Sequence, residues 1–264
     1  MTAAILAAEF HPPTTKDFVF DCYFSVDVGP FDFCFNFIIA LVTASVLVYV
    51  VLFFLAFRTP KVVPGRLQSL MEMGLSFVRE QVAIPMLGPS SDRFLPLLVV
   101  LFFFILFMNL LEVAPWVNLA PSSRMAFPLV LAVIAWLVYN AVGVARHGFF
   151  GYLRFTCIIP SAPAVLRYSL MPLIEFVSNI VIRPITLTIR LTANFLAGHF
   201  LLALAFLGTE FFFLNGGWSY LGLAVSFPLS VLLVAFEVFV AVLQAFIFAI
   251  LTSSYIGGAM AEDH

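Results

Sequence analysis

The sequence predicts an all-α integral membrane protein. It has about five membrane elements, one interfacial amphipathic helix, and two long, tilted C-terminal helices that form an antiparallel hairpin. Three observations carry this. Of the 264 residues, 63% are hydrophobic and only 10% charged, whereas soluble domains run near 45–50% and about 25%. The apolar residues come in long runs, not in the short alternating segments of a barrel. A chain in hydrocarbon must also satisfy its amides within each segment, which favours helices.

An acidic segment, 1–32, carries Glu9, Asp17, Asp21 and Asp27 against one lysine. It has neither the basic start of a secretory signal nor the arginine-rich character of a transit peptide. A single transmembrane domain, 33–264, follows. Its first span, 33–57, is long enough at ~1.5 Å per residue to cross a ~30 Å core. Arg58, Lys61 and Arg66 come next. The positive-inside rule therefore sets the N-terminus outside and residue 60 inside. Residues 66–84 place Leu67, Leu70, Met71, Leu75 and Val78 near helical spacing, with Arg66, Glu72, Arg79 and Glu80 on the polar side. Such a helix lies on the membrane surface or packs on a partner protein.

Further spans are expected at 94–114 and 126–145, separated by a short loop containing Pro121 and Ser122. The segment 146–167 carries Arg146, Arg154 and Arg167 and returns inside. From 168 to 213 there is no convincing loop, although Pro172 and Pro184 can kink a helix. Forty-odd helical residues exceed ~60 Å, about twice the hydrocarbon thickness, so this element must tilt. NGGWSY at 215–220 supplies a turn, and a second long apolar stretch covers 221–256. The polar hairpin thus spans 168–256. No internal repeat is visible, which disfavours an inverted-repeat transporter.

Other classes are weakened by what the chain lacks. Net charge is −2, with no basic patch for nucleic acid. Cys22, Cys34 and Cys157 form no CxxC, and the four histidines are scattered. No P-loop, GxGxxG or HExxH motif occurs, so neither a cofactor nor direct nucleotide binding is expected.

The hairpin nevertheless holds Glu175, Arg183, Arg190, Asn194, His199, Glu210, Glu237 and Gln244. A charge at mid-bilayer costs about 2.5–3.5 kcal/mol on insertion scales, and such groups usually face protein or a water-filled path. Arg183 either does so or snorkels from a helix end. Arg190 has apolar helix on both sides. Arg190 and Asn194 share a face at i,i+4; Glu237 and Gln244, seven apart, share another. Pairing Arg190 with Gln244 centres the hairpin on residue 217, and pairing His199 with Glu237 centres it on 218. Two polar pairs thus agree on one register. Histidine and desolvated carboxylates can exchange protons near working pH. Arginine stays charged and acts as a fixed barrier to proton flow.

RPITLTIRLTANFLAGH together with EVFVAVLQAFIFAILTSSY resembles subunit a of the F-type ATP synthase. VPGRLQSLMEMGLSFV, LFFFILFMNLLEVAP, the PSS loop and ARHGFF lend weaker support. The resemblance implies a non-catalytic stator subunit with two offset half-channels that serve carboxylates on a rotating ring of c subunits. It places Arg190 at the family's essential arginine, with Asn194 four residues on, Gln244 on the last helix and Tyr255 eleven residues later. His199 and Glu237 match a pair whose identities are exchanged between branches. Their order here resembles mitochondrial members, so the expected site is the mitochondrial inner membrane, with a bacterial plasma membrane as the alternative. The implied partners are the c ring, other membrane-sector subunits, peripheral-stalk subunits and the lipid bilayer. The family has a glutamate fourteen residues before its arginine, whereas Glu175 stands fifteen before Arg190. A π-bulge or shifted kink between Glu175 and Pro184 would absorb the extra residue. Arg183 and Glu210 receive no role. A proton-coupled transporter or respiratory-complex subunit, or a scaffold whose polar residues only pair helices, are the other classes.

Overall fold

The computed structural model describes residues 24–28, 31–35, 37–114, 125–157, 171–215 and 219–261. The loop with Pro121 and Ser122, the stretch around Arg167 and the Gly216–Trp218 turn lie outside them. Five helices are long and apolar enough to cross a membrane, so the chain is an all-α, multi-pass membrane protein. One short antiparallel ladder precedes them, β1 (Phe24–Val28) and β2 (Phe31–Phe35), with Asp27 opposite Asp32. Both strands alternate aromatic or β-branched residues with small or acidic ones, a strand period. The first membrane helix, α1 (Phe37–Phe57), accordingly starts later than residue 33.

Next come α2 (Arg66–Val78), a π turn (Arg79–Ala83), α3 (Ile84–Leu87) and α4 (Ser91–Val113). The amphipathic helix α2 packs on α1 and α4 of its own chain. Gln68, Met71 and Val78, at spacings of three and seven, form its buried line. Leu70 is exposed, away from that line. Gln68 lies on it, because its amide bonds both backbone groups of Lys61 (3.3 and 3.2 Å) and Glu72 (2.7 Å).

Beyond α5 (Ala126–His147) and α6 (Phe149–Cys157) lie α7 (Met171–Val177), a second π turn (Ser178–Ile182), α8 (Arg183–Asn215) and α9 (Tyr220–Met260). The polar hairpin is therefore two near-continuous helices, 172–215 and 220–260. The core forms where α9 meets α4 and α8, with α5 packed on both α8 and α9. The inner face of α5 reads Pro128, Ala132, Ala135, Tyr139 and Gly143. Small residues let membrane helices approach closely where no hydrophobic force drives them together.

Both π turns end two residues before a proline. Ile84 N–H bonds Arg79 O ahead of Pro85, and Arg183 N–H bonds Ser178 O ahead of Pro184. Proline lacks an N–H and crowds the carbonyl four residues back. A widened turn just before it relieves both problems and takes up one residue. The second π turn lies between Glu175 and Pro184, the stretch where a π-bulge or a shifted kink is expected.

The end of α9 lies against the first π turn and α3. Ser253 Oγ donates to Val82 O at 3.4 Å. A Cβ on Gly257 would stand 2.5 Å from Met86 O, a backbone atom that cannot swing aside. A Cβ on Gly258 would meet nothing within 4 Å. Gly257→Ala should therefore cost roughly 1–3 kcal/mol through overpacking, and Gly258→Ala close to nothing. Thermal unfolding in detergent checks this as a lowered midpoint for the first variant alone.

Candidate functional site

The register of α8 against α9 is set by small and polar residues. Near the turn, Ser230 Oγ donates to Ala205 O at 3.2 Å and pairs with Thr209 Oγ1 at 3.0 Å. Deeper in, Gly198 faces Glu237, and a Cβ on Gly198 would stand 2.5 Å from its carboxylate oxygens. Both contacts centre the hairpin close to residue 217, the register read from Arg190–Gln244 and His199–Glu237. The Glu237 carboxylate occupies the space that a side chain at 198 would fill, so a Cβ there would push it aside.

Along this register the polar residues take different environments. Glu237 and Gln244 are each 6% exposed. Their spacing of seven turns both toward the protein. The Gln244 side-chain nitrogen has no hydrogen-bond partner among the described residues. His199 is half-buried, with its ring stacked on Phe195 at 5.9 Å. Asn194 is half-buried beside Arg190 on α8.

Arg190 is exposed, and among the described residues no carboxylate pairs with it. Thr186, Ala193, Ala197 and Leu201 are exposed and recur at helical spacing on its face. Ile189, Leu196 and Leu204 flank this stripe and are also exposed. The only charge here projects from an apolar surface, beside two alanines that leave room for another helix.

A second polar group surrounds the π turn Ser178–Ile182. Asn179, buried, donates its amide to Glu175 O at 3.0 Å, and lies 3.4 Å from the Glu175 carboxylate. Tyr139 donates its hydroxyl to Asn179 O at 2.7 Å. Its ring meets Tyr255 edge-on at 5.6 Å, and the Arg183 guanidinium sits 4.7 Å over the Tyr255 ring. Arg183, without a role on sequence grounds, is thus tied to Tyr255. Tyr139 and Asn179 went unnoticed in the sequence. A lone tyrosine in an apolar span gives no periodic signal, and its partner is forty residues away.

At the hairpin end, α8 and α9 part around a cleft of about 860 Å³, lined by Phe206, Thr209, Glu210, Phe227 and Ser230 among others. Glu210 is exposed at this cleft. The seven residues singled out from the sequence therefore fall into three places. Glu237 lies in the α8–α9 seam against Gly198, with His199 next to Gly198 and Gln244 buried on the same face of α9; Arg190 and Asn194 lie on the outer flank of α8, and Glu175 and Tyr255 at the π turn. Arginine is a permanent charge, whereas the carboxylates and the histidine can take up and release protons. The set thus combines a permanent charge with groups able to exchange protons.

Comparison with known proteins agrees with this architecture. The chain is 40% identical over 263 residues to ATP synthase subunit a of Rhodococcus erythropolis, covering 98% of this chain and 94% of that one. It is 38% identical to the subunit of the same name in a Parafrankia species, covering 98% and 88%. It is 43% identical over 221 residues to that of Streptomyces lividans, covering 83% and 77%. These relatives are bacterial, and the mitochondrial placement read from the order of His199 and Glu237 finds no support in them. The family profile described as ATP synthase A chain matches residues 37–257, and the chain belongs to that family.

Proposed function

We propose that this chain is the stator subunit of the membrane sector of an F-type ATP synthase, carrying protons to and from the carboxylates of a rotating c ring. The observation that carries the reading is Arg190. A guanidinium on an exposed, otherwise apolar helical face is too costly to leave in hydrocarbon, so the face requires a partner with an acidic group. Ala193 and Ala197 on the same face suit a partner helix that passes close by.

In this reading protons enter from the outer side at the hairpin end, where the cleft at Glu210 opens, and move by way of His199 and Glu237. They neutralise a ring carboxylate, which then travels through lipid. On the inner side the carboxylate meets Arg190. The fixed charge favours its ionised form, and the proton leaves past Glu175. Because arginine does not release its proton, it also blocks a direct path between the two half-channels. Asn194 stands four residues from Arg190 on the same helix, and Tyr255 holds Arg183 at the inner end. Other membrane-sector and peripheral-stalk subunits complete the assembly. The bacterial relatives favour a plasma membrane over the mitochondrial inner membrane.

The reading is tested in inverted membrane vesicles carrying the complete synthase. Arg190→Ala should abolish ATP-driven proton pumping, and persistent coupled pumping would sink the assignment. Arg190→Lys keeps the charge but loses the planar fork, and pumping should fall by at least about ten-fold, the effect of roughly 1.4 kcal/mol. Gly198→Ala should displace the Glu237 carboxylate with little loss of stability, because that carboxylate is the movable end of a flexible side chain. Pumping should drop several-fold while the subunit's thermal midpoint stays within about 2 °C, the shift expected for under about 1 kcal/mol in a chain of this size.

A further inference from the structure

We propose that Tyr139 is a positioning residue whose hydroxyl holds the π turn Ser178–Ile182 and so sets the rotation at which α8 presents Arg190. The inference rests on the proton-path reading, since it concerns the residue that carries that reading.

The Asn179 carbonyl lies within this turn. In a regular α-helix it accepts the N–H of residue 183. Here the Arg183 N–H bonds Ser178 O instead. In the wider π register the donor to Asn179 O is residue 184, which is proline and has no N–H. The two backbone donors that the helix offers are thus both lost, at a buried residue. A carbonyl left bare in such a place costs about as much as a lost hydrogen bond. Tyr139 fills the vacancy from α5 at 2.7 Å. It is itself only 1% exposed, so water does not compete for the bond.

Three helices meet at this point. Tyr139 belongs to α5, and its ring is braced edge-on by Tyr255 of α9 at 5.6 Å. Tyr255 in turn carries the Arg183 guanidinium at 4.7 Å, at the first residue of α8. Asn179 reaches back to Glu175. A π turn holds one residue more than an α turn, and one residue corresponds to about 100° of rotation and 1.5 Å of rise. Reverting the turn to α geometry would therefore swing Arg190 by about that angle relative to the segment bearing Glu175. A charge rotated so far would leave the outer face and no longer separate the two half-channels.

The test compares Tyr139→Phe, Pro184→Ala and the double variant in inverted vesicles carrying the complete synthase. Two quantities are read per assembled complex: ATP-driven proton pumping, and passive proton leak without ATP. Tyr139→Phe keeps the ring and removes only the donor. Pumping should fall roughly five-fold or more, the range expected for an orphaned buried carbonyl, while the leak rises. A merely structural role would lower the number of assembled complexes and leave both per-complex quantities, and so their ratio, unchanged.

Pro184→Ala restores an N–H at the residue that the π register assigns to Asn179 O. The double variant should therefore recover pumping to within about two-fold of the parent, and should also recover assembly if Tyr139→Phe alone assembles poorly. An unchanged ratio in Tyr139→Phe, or no recovery in the double variant, would overturn the inference. Arg190→Ala in the same vesicles separates the two levels. If it still pumps, the proton-path reading itself fails. If it does not pump and the Tyr139 series shows no pattern, only the role of Tyr139 falls.

Discussion

Hydrocarbon offers no water to a bare carbonyl or amide, so every backbone polar group in a membrane helix must find its partner inside the protein. That constraint governs the part of this chain that matters most. Pro85 and Pro184 each remove a donor from a long helix, and each is preceded by a π turn. Each π turn then takes a side-chain donor from another helix. Ser253 of α9 reaches Val82 O, and Tyr139 of α5 reaches Asn179 O. The irregular turns are thus the points where separate helices are fastened to one another. A straight helix, with its backbone bonds satisfied internally, would need no such fastening.

The same constraint sorts the ionisable residues. Glu237 lies inside the α8–α9 seam, in space that Gly198 leaves open. Arg183 is laid over the Tyr255 ring, which gives a cation a favourable surface without an ion pair. Arg190 is placed on the outside, among apolar residues, with no carboxylate beside it among the described residues. A charge in that position makes sense only as one half of an interaction. In the proposed mechanism the other half is supplied by a moving ring, so the permanent partner that would stabilise Arg190 must be absent from its own chain.

Much of this was legible in the sequence because the signals are local or symmetric. Long apolar runs mark membrane helices, and the five spans follow from them. The register of the hairpin could be read because Arg190, His199, Glu237 and Gln244 each stand out against an apolar background, and two pairs centred on adjacent residues. The one-residue offset read between Glu175 and Arg190 pointed to a π-bulge or a shifted kink before Pro184, and the structure has a π turn there. The order of His199 and Glu237 was a weaker signal. Two residues in one of two orders carry a single binary choice, too little to assign a compartment.

By itself, then, the sequence determined the membrane class, the long hairpin, its register and the residues too costly to be incidental. Composition, spacing and the price of a charge in lipid are properties of the chain alone. Only the tertiary structure decided which way those residues face. It set Arg190 outward and Glu237 inward, brought Arg183 to Tyr255, and gave Asn179 its donor from Tyr139. It also turned Gln68, a polar residue outside the apolar pattern of α2, inward. The reason is that rotation about a helix axis, and contacts across forty or more residues, depend on which helices pack together. No local pattern in the sequence encodes that choice.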